Sequence, residues 1–170
     1  MNHLVPAQAG AQLITLGLAK RERADALIAL LWVNVFRYVA LNVFVAQRDG
    51  FPISNHGALE IVVGDVAGAI IAFTAIVLLR QRAFAGVVLC WLLVIETATD
   101  TFLNIRGGVE EHLMGAASGV TWMVLVFFVP AVIVSIGLLA WQLVSRRNEP
   151  LAETAQRNSA PLATNRLQEQ

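Results

Sequence analysis

The amino-acid sequence predicts an all-α integral membrane protein, a four-helix transmembrane bundle with both termini cytoplasmic. Three observations carry that expectation. The chain of 170 residues is 57% hydrophobic and only 14% charged, and its mean hydropathy of +0.66 exceeds that of an ordinary soluble domain. Four apolar stretches, at roughly residues 26 to 46, 59 to 79, 83 to 105 and 117 to 144, each reach the ~20 residues a helix needs to cross a hydrocarbon core of ~30 Å. The basic residues, finally, sort to one side of those stretches. Lys20, Arg21 and Arg23 precede the first, Arg80 and Arg82 fill the loop between the second and third, and Arg146 and Arg147 follow the fourth. The other side has only Arg48 and Arg106, accompanied by Asp49, Glu110 and Glu111. Positive charge is retained on the cytoplasmic side, so both termini belong there, in the cell inner (plasma) membrane. A soluble bundle would show charged outer faces, and "IVVGDVAGAIIAFTAIVLL" and "WMVLVFFVPAVIVSIGLLAW" have none to offer.

The chain divides into three parts. Residues 1 to 23 form a cytoplasmic N-terminal segment; they lack a basic start before an apolar core, so no cleaved signal is expected, and "AQLITLGLAKRER" reads as a short helix lying on the membrane surface. Residues 24 to 146 carry the four spans. Residues 147 to 170 are polar, with few large apolar side chains, and are expected to be a disordered cytoplasmic tail. The one cysteine, Cys90, lies in the third span and has no partner for an intrachain disulfide.

Polar residues inside the spans recur at helical spacing. A helix turns 100° per residue, so positions three and four apart share a face. In the first span Asn34, Arg37, Tyr38 and Asn42 form one stripe; in the third, Glu96, Asp100 and Asn104 are four apart, with Thr97 and Thr101 beside them. The second contributes Asp65 between Gly64 and Gly68, and the fourth Ser118, Thr121 and Trp122. In hydrocarbon such stripes turn inward. Counting ~1.5 Å per residue puts Arg37 and Glu96 near the midplane and Asn42, Asp65, Asp100 and Trp122 in the non-cytoplasmic half. The cytoplasmic half, in "ALIALLW", "FTAIVLL" and "VIVSIGLLAW", reads as an apolar plug.

Arg37 is therefore expected against Glu96, Asp100 or Asp65, with Tyr38 and the asparagines meeting the remaining hydrogen-bond demand, because an unpaired charge at that depth costs from ~3 to more than ~10 kcal/mol. One arginine cannot neutralise three carboxylates. At least one of them is expected to be protonated near neutral pH or to meet a cation, a metal or water. A neutral carboxyl group can donate a proton, which makes Glu96, Asp100, Asp65, Arg37 and Tyr38 the candidates for acid/base chemistry, and Asn34, Asn42, Asn104 and Trp122 the candidates for holding a ligand. The structural alternative is a polar layer that only fixes helix register, with Gly64 and Gly68 serving tight packing. Trp32 and Trp141 read as interfacial anchors. Pro130 is expected to disturb the fourth helix, and "RGGVEEH" to cap the cavity mouth.

His56 and His112 lie near Glu60, Glu110 and Glu111 in sequence but show no zinc spacing, so no metal and no cofactor is expected. The function classes left open are three. The first is a pocket that binds a small lipophilic molecule and converts it by isomerisation, cyclisation or epoxide opening. A proton-coupled small-solute transporter, as a homodimer, is the second, and an accessory membrane subunit with a structural polar network the third. The partners expected are the lipid bilayer and the lipophile, and no nucleic acid.

Overall fold

The computed structural model describes residues 22–113, 115–149 and 151. The surface helix expected before residue 22, and all of the expected disordered tail beyond residue 151, lie outside the described residues. Four helices run through the rest: α1 (Arg23–Arg48), α2 (Asn55–Arg80), α3 (Ala85–Glu110) and α4 (Gly119–Ser145), each long and apolar enough to cross a membrane. No strand occurs among the described residues.

Short connections make sequential helices antiparallel. Ser54 opens α2, its hydroxyl accepting a hydrogen bond from the Gly57 amide (2.9 Å). Between α2 and α3 the chain reverses within four residues, with Arg82 in the left-handed region (φ 58°). Gly86 permits that tight return, since a Cβ there would lie 2.9 Å from the Leu79 backbone nitrogen. Helix α1 packs on α2 and α4, and α3 packs on the same two. Helices α1 and α3 hardly approach one another, so they stand at diagonal corners.

Two turns depart from regular α geometry. Residues Phe36–Leu41 of α1 tighten to a 3-10 helix, and Val124–Phe128 of α4 widen to a π turn. The second has a visible cause: Pro130 lacks an amide hydrogen, and its ring cannot sit against the carbonyl four residues back. Widening the preceding turn relieves the crowding.

Burial divides the bundle along its length. In the half toward the basic loops, Leu27, Leu31, Ile76, Leu79, Cys90, Leu93, Leu139 and Leu143 are at most 2% exposed and form one apolar core. Arg23 closes this end by donating to the Glu149 carbonyl (2.8 Å), and Arg82 pairs with Glu22 (3.1 Å) and the Leu151 carbonyl. Large apolar side chains such as Phe73, Ile95, Phe102 and Phe127 project outward, each more than half exposed. Water is a poor solvent for such a surface and lipid a good one.

Candidate functional site

The other half of the bundle is organised by one side chain. Arg37 leaves α1 at the 3-10 turn, is 1% exposed, and reaches across the interior toward the diagonal helix α3. Its Nε donates to Asp65 Oδ1 of α2 (2.7 Å). Its Nη1 donates to Glu96 Oε2 (2.8 Å) and Thr97 Oγ1 (2.7 Å), and its Nη2 to Asp100 Oδ2 (2.7 Å), all on α3. Four of the five guanidinium N–H groups are thereby used, in charge-assisted bonds of strong geometry. Thr97 passes its own hydroxyl proton toward Glu96 Oε2 (3.1 Å), and the Asn104 amide donates to Asp100 Oδ2 (3.2 Å). Glu96 Oε1 is buried without a hydrogen-bond partner.

Gly64 and Gly68 make room for this cluster. They stand one turn apart on α2, and what approaches them is not another backbone but charged side chains. A Cβ at Gly68 would lie 2.6 Å from Arg37 Cζ and 2.9 Å from Glu96 Oε2, and one at Gly64 would overlap the Asp100 carboxylate. The missing side chains are thus the space through which arginine crosses the bundle.

Beyond the cluster opens a cavity of about 400 Å³, within the size range of small-molecule sites. Arg37, Asp65, Asp100 and Asn104 line its inner end, and Val124, Leu125, Phe128, Val129 and Val132 of α4 give it an apolar wall. The space exists because the first half of α4 comes close to the last turns of α1 but hardly to α3. At the opposite end Phe51, Ile53, His56, Glu60, Glu110 and Glu111 form the rim. There Glu111 clasps the start of α2, its carboxylate accepting from the Ser54 amide (2.8 Å) and hydroxyl (2.5 Å). These two bonds hold the Glu111 carboxyl below its ordinary range.

The residues expected to form the site separate into three groups. Arg37, Asp65, Glu96 and Asp100 meet in the cluster; Asn42 and Asn104 line the cavity, and Asn42 bonds the Val39 carbonyl (2.9 Å). Glu96 lies behind the guanidinium and is not part of the cavity wall. Asn34 is fully buried but turned the other way, donating to Ser135 Oγ (3.0 Å) and the Leu30 carbonyl (3.2 Å). Tyr38 and Trp122 do not reach the cavity: they are 49% and 48% exposed and pack on their neighbours Phe36 and Phe127. Tyr38 follows Arg37 directly, so when the arginine points inward the tyrosine is rotated by 100° or more and leaves the bundle.

Sequence reasoning missed the apolar α4 wall, the Ser54–Glu111 clasp and the burial of Gln142 in the half read as nearly free of polar residues. The first carries no polar marker, and the second joins loops far apart in the chain. His56 Nδ1 lies 3.7 Å from Glu60 Oε2, and among the described residues no three His, Cys, Asp or Glu side chains are grouped to hold a metal ion.

No curated protein and no solved structure shows significant similarity to the chain. A family model does: the domain of unknown function DUF8737 matches residues 4–144. That span covers all of α1, α2 and α3 and nearly all of α4, and the chain belongs to the DUF8737 family.

Proposed function

We propose that this is a multi-pass protein of the cell inner (plasma) membrane, termini cytoplasmic, whose cavity receives a small lipophilic molecule from the bilayer. Asp65 and Asp100 are the groups it offers for cofactor-free acid/base chemistry such as isomerisation, cyclisation or epoxide opening. The observation that carries this reading is the cavity of about 400 Å³, apolar along α4 and ending on Arg37, Asp65 and Asp100. An apolar body is favoured along the wall, and only a polar group has a reason to travel as far as the carboxylates.

In such a site one carboxyl group delivers a proton to the substrate and a neighbouring carboxylate accepts one from it, so the pair ends with the protons it began with. Arg37 holds both acids at fixed distance. Transport would require polar lining on both sides of the cluster, and the half toward the basic loops is closed by Leu27, Leu31, Ile76, Leu93 and Leu139. A pocket with one mouth fits that asymmetry better.

Native mass spectrometry of the full chain, released gently from its own membrane, tests the reading. Wild type is expected to carry a small lipophile that is absent from Val129→Trp, which fills the cavity, and depleted in the Glu96→Gln, Asp100→Asn double variant. An empty wild-type bundle, or the same adducts in wild type and Val129→Trp, rules the pocket out.

A further inference from the structure

The charges around the cavity specify more than lipophilicity. Three carboxylates surround one guanidinium, which gives each of them one N–H and a fourth to Thr97. An anionic headgroup would therefore meet, at the inner end, a cation already outnumbered by carboxyl groups. The rim repeats the pattern: Glu60, Glu110 and Glu111 face the cavity, Arg106 is held by Glu110 (2.7 Å), and His56 lies beside Glu60 (3.7 Å). Asp65 bonds Arg37 through Oδ1 alone, and both Asp65 (21% exposed) and Asp100 (12% exposed) keep part of their carboxylate on the cavity surface.

Carboxyl oxygens that can accept are thus in surplus where a ligand's polar end would stop. The two aromatic rings on the wall are Phe51, at the rim, and Phe128; Trp122 and Tyr38 pack outside. No aromatic cage is present among the described residues to hold a cation lacking hydrogen-bond donors. A cation that binds here must donate N–H bonds to carboxylates.

We propose that the ligand of this cavity is a lipophilic amine, bound as its ammonium ion with N–H donated to Asp65 and Asp100 and its hydrocarbon body against the α4 wall. The proposal rests on the reading of the cavity as a ligand site and adds the headgroup. It excludes fatty acids and quaternary ammonium lipids as preferred occupants.

A series on one hydrocarbon body tests it: 1-adamantylamine, 1-adamantanol, adamantane-1-carboxylate and 1-adamantyltrimethylammonium, titrated calorimetrically into nanodiscs holding the full chain, with Val129→Trp nanodiscs as the blank. The amine is expected to bind at least tenfold more tightly than the alcohol and the quaternary ion. Asp100→Asn and, separately, Asp65→Asn should erase that preference, with helicity checked by circular dichroism so that a variant that fails to fold is replaced by the other. Equal binding of amine and alcohol, tighter binding of the carboxylate, or a quaternary ion as good as the amine overturns the amine proposal while leaving a lipophile pocket in place. Failure of every member of the series to bind wild type above the blank overturns both.

Discussion

Arg37 is the residue on which the hollow half depends. Its three carboxylate partners lie at 2.7 to 2.8 Å, and removing the guanidinium leaves three acids facing one another without their common cation. Arg37→Met is accordingly expected to cost about 3–5 kcal/mol of unfolding free energy in detergent, the range for breaking a buried ion pair from one side. Tyr38→Phe and Trp122→Phe, at half-exposed positions, should stay within about 0.5 kcal/mol of wild type; a large loss from either would place those rings inside the network after all. The cluster was legible in the sequence because Glu96 and Asp100 share a helix face and, by counted depth, Arg37 and Asp65 fall at nearby heights. Tyr38 was misplaced by the same reasoning: a stripe drawn with steps of three, one and four tolerates one adjacent pair, whereas a buried arginine excludes its neighbour from the interior. Trp122 had no charged residue on its own helix to fix its rotation.

At the scale of single helices, α2 contributes space as well as Asp65 to the site. Gly64 and Gly68 hinted in sequence at close helix packing, but their use, admitting an arginine from α1 and an aspartate from α3, depends on which helices are diagonal and could not be read from one chain. Gly68→Ala is expected to destabilise the bundle by about 1–3 kcal/mol through overpacking, seen as a lowered thermal midpoint; an unchanged midpoint would mean that the guanidinium has room to spare. The end of α3 is fastened to the start of α2 by Glu111 and Ser54. Because the folded-state carboxyl sits below its ordinary value of 4.5, the clasp contributes stability above that pH and loses it as the pH falls through the lowered value. A ¹³C NMR titration should place the Glu111 midpoint below 4.5 and move it upward in Ser54→Ala; an unmoved midpoint would dissociate the clasp from the shift.

Across the whole molecule, four apolar helices enclose a sealed half and a hollow half. The count of long apolar helices, their limits to within about five residues and the apolar plug were legible, since length and hydropathy are local quantities. A pocket was expected from the polar layer, but its apolar wall was not legible, because it arises from α4 leaning on α1 and away from α3, and from a π turn next to Pro130 that moves side chains without changing composition. The asymmetry between the halves separates a one-mouthed pocket from a conduit, and cysteine labelling in right-side-out membrane vesicles reads it directly. Native Cys90 is wholly buried in the plug, whereas Asn104 lines the cavity, so Asn104→Cys supplies a reporter over a silent background. With a membrane-impermeant methanethiosulfonate, Asn104→Cys should react from the outside and Cys90 from neither side. Reaction of both from the cytoplasmic side, in inverted vesicles of folded protein, would establish a path through the plug and contradict the pocket.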